Sequence, residues 1–246
     1  MKVAACQTPE ILGDLDAALL WLETAVSQAA DADVVLFPEG FLQGYLAEPA
    51  HVAAFAVDLA SAAFGAVLRR LRPVRPTLVF GVLERDGDSH FNTAVVVERG
   101  SLVGVYRKTH LYGSELGVFT PGRHYPVFNA GGVRFGINIC YDTRFPEAAA
   151  AVAEQGARLL LVPSQNMMPK ARALAWQGRH NEIRRERVLE TGMWLVSADV
   201  TGMRDAGRVG LGPTSAMDPT GTVVAQVPLG SPGTVTVQIP ASSSFS

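Results

Sequence analysis

Residues 133–147 read VRFGINICYDTRFPE, and the predicted fold is built outward from this stretch. Apolar side chains recur at every second position from Val133 to Ile139, which is the period of a strand with one apolar face. Pro146, a residue tolerated in a first helical turn, then leads into an alanine-rich run. The sequence therefore predicts a strand that stops at Cys140, a helix just beyond it, and Cys140 at the turn between them.

This position makes Cys140 a candidate nucleophile. Backbone N–H groups of such a turn and the N-terminus of the following helix are expected to favour a thiolate and an oxyanion. The alternative is a buried thiol that acts as a small hydrophobe, which is the usual state of a free cysteine. Cys6, the other of the two cysteines, falls in a predicted buried strand and is expected to be inert.

The composition is typical of an enzyme-sized globular chain. Of its 246 residues, 48% are hydrophobic and 18% are charged, and no linker-like segment divides the sequence. We therefore expect one domain over 1–246, with a flexible tail at about 241–246. The net charge of −2 gives no electrostatic reason to bind nucleic acid or an anionic membrane. A start in a strand pattern, without a secretory segment, favours a reduced, cytoplasmic protein.

The order of predicted elements is typical of an α/β protein with helices outside two packed sheets. VVLFPE at 34–39 and LLLVPS at 159–164 each follow a predicted helix, which suggests two similar β-α-β halves. Single helices are predicted over 49–71 and 171–189, the second with its mixed charges on a solvated face.

Three strand-like runs separated by turn residues, at 77–84, 91–98 and 102–107, predict an antiparallel meander. Two charged residues directly follow predicted strands. Glu39 ends a buried apolar run, which makes its carboxylate a candidate for a raised pKa, whereas an ordinary loop carboxylate would be solvated. Lys108 follows the last meander strand and would by default be a surface charge.

Glu39, Lys108 and Cys140 lie in the phrases LFPEGFLQGY, YRKTHL and NICYDTRFPE. Together these phrases resemble the nitrilase superfamily of carbon–nitrogen hydrolases, whose members share a Glu-Lys-Cys triad in this order. The resemblance covers nearly the whole chain, including AACQTP, LLLVPS and GPTSAMDPTG. It implies a four-layer α-β-β-α sandwich that pairs into homodimers or larger homo-oligomers.

The resemblance also implies roles for the site residues. Cys140 would attack a carbonyl carbon after giving its proton to Glu39, and a thioester would form and then be hydrolysed by water that Glu39 activates. Lys108 and the backbone N–H of Tyr141 would stabilise the oxyanion. Glu115 matches a second carboxylate that orients the lysine and the substrate, although it would otherwise be a solvated loop residue.

Further residues fall around this predicted site. Tyr45, Asn166 and Met167 lie on loops that should border the substrate pocket. Asp142 and Arg144 belong to the nucleophile phrase and either hold the turn through buried hydrogen bonds or touch the substrate, and the sequence gives no reason to assign Arg144 as a substrate anchor. No metal-ligand spacing, P-loop or dinucleotide fingerprint occurs, so neither a metal nor a cofactor is implied.

The phrase CYDTRFPE resembles the amidase branches that act on small ω-amides, such as ω-amidase and deaminated-glutathione amidase. The predicted reaction is hydrolysis of a small linear amide to a carboxylate and ammonia. Hydrolysis of an N-carbamoyl compound is the first alternative, followed by nitrile hydrolysis or acyl transfer to an amine. A binding protein without turnover is disfavoured by the intact Glu-Lys-Cys set.

Overall fold

The computed structural model describes residues 1–240, so the tail predicted at 241–246 lies outside the described residues. The strands are β1 (Lys2–Pro9), β2 (Val34–Leu36), β3 (Thr77–Asp86), β4 (Ser89–Glu98), β5 (Ser101–Arg107), β6 (Val127–Ala130), β7 (Val133–Ile137), β8 (Leu159–Pro163), β9 (Met167–Pro169), β10 (Trp194–Ala198), β11 (Val200–Met203), β12 (Arg208–Leu211), β13 (Ser215–Met217), β14 (Val223–Gln226) and β15 (Gly233–Gln238). The helices are α1 (Leu15–Gln28), α2 (Pro49–Phe55), α3 (Ala62–Arg70), α4 (Pro146–Ala153), α5 (Lys170–Trp176) and α6 (Arg179–Thr191).

The strands form two sheets. The nine-stranded sheet has the order β5-β4-β3-β2-β1-β11-β12-β9, with β15 paired to β1. The six-stranded sheet has the order β14-β13-β10-β8-β7-β6. Each sheet has a parallel centre, β1-β2-β3 in one and β7-β8-β10 in the other, as expected for two β-α-β halves. The predicted meander is confirmed by the antiparallel pairing of β3, β4 and β5.

Alternating side chains of the central strands build separate cores on the two sheet faces. In β1, Val3 and Ala5 pack toward β7, β8 and β10 of the other sheet, whereas Ala4 and Cys6 pack toward α1 and α3. A further core lies between the six-stranded sheet and α4 and α6. The layers therefore run helix, sheet, sheet, helix, which confirms the predicted α/β four-layer α-β-β-α sandwich.

Two long helices of the prediction are each divided in the structure. The helix predicted over 49–71 is α2 and α3, and Ser61 caps the second by accepting a hydrogen bond from the backbone N–H of Phe64 at 3.2 Å. The helix predicted over 171–189 is α5 and α6, separated near Gly178, whose lack of a side chain weakens helix continuation. No helix of residues 1–240 has both the length and the apolar character needed to cross a membrane.

The sandwich brings the ends of β2 and β8 to the same place. The backbone N–H of Glu39 lies 3.3 Å from the carbonyl oxygen of Ser164, so the two sheets meet just beyond these strands. The loops that follow β2, β5, β7, β8 and β11 therefore converge on one edge of the sandwich, which is where ligands bind in many α/β folds.

Candidate active site

Cys140 lies at the predicted turn, in a backbone conformation that is unusual for a residue with a side chain. The strand β7 ends at Ile137, two residues before the predicted end at Ile139, and a 3-10 turn runs over Cys140–Arg144 into α4. The φ of Cys140 is 45°, in the left-handed region where a Cβ is strained. A sharp strand-to-helix turn of this kind presents the side chain at a sheet edge, as in the nucleophile elbow of other hydrolases.

The buried carboxylate of Asp142 holds this turn in place. It accepts hydrogen bonds from the backbone N–H groups of Ile139 at 2.9 Å and His110 at 2.8 Å, and from the hydroxyl of Tyr106 at 2.8 Å. Asp142 therefore has the elbow-holding role that was one of its two predicted roles. Arg144 does not share it, because its side chain is exposed and makes no hydrogen bond within residues 1–240.

Glu39, Lys108 and Glu115 form a buried ion-pair cluster. The Lys108 ammonium donates to Glu39 Oε1 at 2.8 Å and to Glu115 Oε1 at 3.0 Å, and all three side chains are at most 2% exposed. The second oxygen of Glu115 accepts a hydrogen bond from the backbone N–H of Tyr112 at 2.7 Å. Glu115 is thus a buried partner of the lysine, and its alternative as a solvated loop residue is wrong.

Asn92, which lies in β4, completes this cluster and was not predicted. Its Nδ2 donates to Glu39 Oε1 at 2.7 Å and to Glu115 Oε1 at 2.8 Å. Two buried carboxylates would repel each other, and the ammonium on one side and the amide donor on the other hold them together. The signal in the sequence is a polar residue within the apolar strand FNTAVVV, which alone does not say what the side chain contacts.

Burial and neighbouring charges set the protonation states. Burial raises the pKa of Glu39, with Lys108 opposing that shift and Glu115 adding to it, as predicted from the apolar strand before Glu39. The negative charges of Glu39 and Glu115 outweigh the burial of Lys108 and raise the pKa of its ammonium. This lysine therefore keeps its charge throughout the physiological range.

The expectation that the turn favours a thiolate at Cys140 is wrong for the unliganded site. Burial and the charge of Glu39 raise the pKa of this thiol, and the attraction of Lys108 does not overcome them. The thiol form of Cys140 is therefore favoured over the thiolate in this site. Burial also raises the pKa of Cys6 to about 12, in line with the expectation that Cys6 is inert.

A cavity of about 510 Å³ opens over the cluster. Glu39, Lys108 and Glu115 contribute to its wall, together with Tyr141. The three residues predicted to border the pocket, Tyr45, Asn166 and Met167, all line it. The volume suits a small organic molecule.

A second buried ion pair lies near Cys140. Its sulfur is 3.9 Å from Oδ1 of Asn166, whose Nδ2 donates to Asp199 Oδ2 at 2.6 Å. Asp199 faces the guanidinium of Arg184 at 3.7 Å, and both side chains are at most 3% exposed. The prediction of a solvated charged face on this helix is therefore wrong at Arg184, and also at Arg187, whose guanidinium donates to the carbonyl oxygen of Thr143 at 2.9 Å.

The mouth of the cavity carries a different kind of charge. The guanidinium carbons of Arg144, Arg172 and Arg179 lie 5.5, 5.7 and 6.0 Å from the centre of the Trp176 ring. All three arginines are exposed, and none of them forms an ion pair with a carboxylate of residues 1–240. Arg144 and Arg172 line the cavity and Arg179 lies beside them; Arg204, which lines the cavity as well, is by contrast paired with Glu10. We name Arg144, Arg172, Arg179 and Trp176 the mouth cluster.

The site residues that were not predicted differ in how clearly the sequence pattern marks them. Asp199 directly follows the apolar strand β10, which is the same signal that singled out Glu39 after β2. Arg184 lies among six other charged residues of α6, where nothing in the pattern marks it as buried. The mouth cluster combines residues from two distant segments, and only the fold brings them together.

Comparison with known proteins agrees with this geometry. The family model described as carbon-nitrogen hydrolase matches residues 2–244. An (R)-stereoselective amidase from a Pseudomonas species is 32% identical over 203 residues, which are 82% of this chain and 72% of that protein. A deaminated glutathione amidase from Escherichia coli O157:H7 is 30% identical over 213 residues, 81% of this chain and 76% of that protein.

Solved structures extend the likeness to the whole fold. An amidase from Nesterenkonia sp. has a TM-score of 0.85 and 28% identity, covering 98% of this chain and 90% of that chain. A glutamate-to-glutamine mutant of the Nesterenkonia sp. AN1 amidase, with a TM-score of 0.86, 26% identity and the same coverage, shows covalent addition of the acetamide moiety of fluoroacetamide at its active-site cysteine. The resemblance to the nitrilase superfamily is confirmed, and the chain belongs to the carbon-nitrogen hydrolase family.

Proposed function

We propose that this protein hydrolyses a small linear primary amide that bears a carboxylate, through a thioester on Cys140. The observation that carries the proposal is the buried contact of Lys108 with both Glu39 and Glu115, beside a cysteine in a strained turn. A buried lysine between two carboxylates costs desolvation free energy, which a purely structural site could avoid with apolar residues.

In the first half-reaction Cys140 attacks the amide carbon while its proton passes to Glu39. The carbon–sulfur bond forms, and the charge that develops on the carbonyl oxygen is stabilised by Lys108 and by the backbone N–H of Tyr141. Glu39 then returns the proton to nitrogen, so that the carbon–nitrogen bond breaks and ammonia leaves. The raised pKa of Glu39 suits a group that must both accept and return a proton.

In the second half-reaction Glu39 takes a proton from water, which attacks the thioester. The carbon–sulfur bond breaks, the proton returns to sulfur, and the product is a carboxylic acid. Glu115 and Asn92 hold the Glu39 carboxylate and the Lys108 ammonium in fixed positions through their hydrogen bonds during both steps. They act through these two groups and do not themselves exchange protons in the scheme.

The mouth cluster is the reason for proposing that the substrate bears a carboxylate. Guanidinium groups bind carboxylates through paired hydrogen bonds, and the exposed arginines at the cavity mouth have no protein carboxylate as a partner within residues 1–240. An ω-amide of a short carboxylic acid would place its amide at Cys140 and its carboxylate at Arg144 or Arg172. An N-carbamoyl amino acid presents the same two groups and is the next compound class to assay.

The test combines ammonia release with intact-mass analysis, using a panel of primary amides with and without a terminal carboxylate. Wild-type protein and Cys6→Ala are expected to release ammonia and to show an acyl adduct when the reaction is quenched in acid. Cys140→Ala is expected to show neither. Ammonia release that persists in Cys140→Ala contradicts the mechanism, and turnover confined to amides without a carboxylate contradicts the substrate class. Added hydroxylamine traps the acyl group as a hydroxamate and shows how readily an amine replaces water.

A further inference from the structure

The side chain of Asn166 has a fixed orientation. Its Nδ2 lies 2.6 Å from Asp199 Oδ2, and its backbone N–H donates to Asp199 Oδ1 at 2.9 Å. An ionised carboxylate only accepts hydrogen bonds, so the amide atom that faces Asp199 must be the NH₂ group. The carbonyl oxygen of Asn166 must therefore point the other way, toward the Cys140 sulfur at 3.9 Å.

Asp199 is in turn paired with a buried guanidinium: burial raises the pKa of this carboxyl, and Arg184 and the two N–H donors of Asn166 oppose that shift in favour of the anion. The Arg184 guanidinium lies 3.7 Å from its Oδ2 and is itself anchored by the hydroxyl of Ser197 at 2.9 Å and the carbonyl oxygen of Pro213 at 2.8 Å. Close packing leaves no space for the group to turn, because a Cβ on Gly212 would lie only 2.1 Å from Asp199 Oδ2.

An acceptor at this place has a use in the proposed reaction. After Cys140 attacks, sulfur and the leaving nitrogen are bonded to the same carbon, so an acceptor beside the sulfur is within reach of an N–H on that nitrogen. Glu39 and Lys108, whose charges both act on the thiol, deal with the proton and the oxyanion. The lone pair of the nitrogen must face Glu39, and a hydrogen bond from its N–H to Asn166 would hold it in that orientation.

We propose that Asn166 Oδ1 binds the N–H of the primary amide, and that Asp199, with its charge balanced by Arg184, is a positioning residue that fixes this acceptor. This inference rests on the proposed function, and it adds a specific preference for a leaving group that carries an N–H. An ester of the same acid forms the same thioester but has no such hydrogen, so it gains nothing from Asn166.

The experiment compares kcat/KM for one amide with kcat/KM for the methyl ester of the same acyl group, because this ratio cancels the shared thioester. In Asn166→Leu and in Asp199→Asn, the amide value is expected to fall about tenfold or more relative to the ester value, the effect of losing one directed hydrogen bond. The double variant is expected to be no worse than Asn166→Leu, since Asp199 acts through Asn166. Thr201→Val is the matched control, because Thr201 is buried in β11 and its hydroxyl has no partner within residues 1–240.

Equal losses for amide and ester would overturn the inference, since they would mean a general effect on Cys140 or on folding. Additive losses in the double variant would remove Asp199 from the positioning role. If Asp199→Asn does not fold by circular dichroism, the amide-to-ester ratio of Asn166→Leu decides alone. Wild-type protein that releases no ammonia from any amide contradicts the proposed function and this inference with it, whereas an active wild type with unchanged ratios in the variants contradicts this inference only.

Discussion

The floor and the mouth of the cavity treat charge in opposite ways. On the floor, Lys108, Glu39 and Glu115 are buried and each charge has a partner within 3.0 Å. At the mouth, Arg144 and Arg172 are exposed, rest near an indole ring, and have no carboxylate partner within residues 1–240. Buried charges must be paired to be tolerated, so their geometry is fixed in advance of the substrate. Exposed unpaired charges remain available for a ligand.

The comparison predicts that a change on the floor affects stability and turnover together. Lys108→Met leaves two carboxylates in contact without a cation, and we expect unfolding free energy to fall by about 3–5 kcal/mol and kcat by about a thousandfold. Urea unfolding and ammonia release measure the two effects. Lys170→Met, at an exposed lysine outside the cavity lining, should change neither.

The double variant Lys108→Met, Glu39→Gln separates these effects. This variant removes one charge of each sign. We therefore expect it to regain most of the unfolding free energy that Lys108→Met loses, while its activity stays absent. A single Lys108→Met variant that is as stable as the wild type would show that the cluster is solvated in solution, and the contrast between floor and mouth would fail.

A substitution at Asn92 tests whether the buried carboxylates on the cavity floor need the Asn92 amide as well as the Lys108 ammonium. In Asn92→Leu both carboxylates lose a hydrogen bond in a buried place, which should lower kcat by about tenfold to a hundredfold. The matched control is Thr93→Val, one residue along the same strand, which removes a buried hydrogen bond to Glu84 on the opposite face of the sheet. Loss of kcat in Thr93→Val equal to that in Asn92→Leu would mean that strand stability, not the carboxylates, is responsible.

The raised pKa of Glu39 predicts the pH dependence. The base must be ionised to accept the thiol proton, and a raised pKa means that it becomes protonated at a higher pH than an ordinary glutamate. The midpoint of the acid limb of kcat/KM should therefore lie above pH 4.5. Below that midpoint, kcat/KM should fall tenfold for each pH unit. His110, whose pKa is raised by Asp142, is the other group that could produce such a limb, so the limb should persist in His110→Gln. A limb at or below pH 4.5 would contradict the role of Glu39.

The positions of residues that lie at or just beyond the end of a strand could be predicted from the sequence. Glu39, Lys108 and Cys140 could be placed because strand periodicity locates strand ends and the sandwich gathers those ends at one edge. The same reasoning could have found Asp199 after β10. The role of Asn92 could not be predicted in this way, because its partners come from 53 and 23 residues away in the chain.

The remaining errors have physical causes that a linear pattern does not contain. Arg184 was interpreted as part of a solvated face, yet the chain beyond β12 supplies a carbonyl oxygen that anchors it. The thiol at Cys140 was expected to ionise because the turn offers donors, but the desolvation and the nearby carboxylate outweigh them. Both outcomes depend on how many groups of each sign the fold brings together, and that number is set by tertiary packing.

The smallest expected effect lies at the mouth, where an exposed guanidinium meets a carboxylate in water. Arg172→Gln should raise KM about threefold to fivefold for an amide with a terminal carboxylate, because an exposed ion pair contributes at most about 1 kcal/mol. A neutral amide of equal length should be unaffected, and Arg85→Gln, an exposed arginine on β3, should change KM for neither. The difference in KM between wild type and Arg172→Gln for the charged amide should decrease at high salt, since screening weakens exposed ion pairs far more than the buried ones on the cavity floor. Equal changes for charged and neutral amides would mean that Arg172 shapes the mouth through Tyr112 and Trp176, which it also contacts, and that recognition of the substrate charge lies elsewhere.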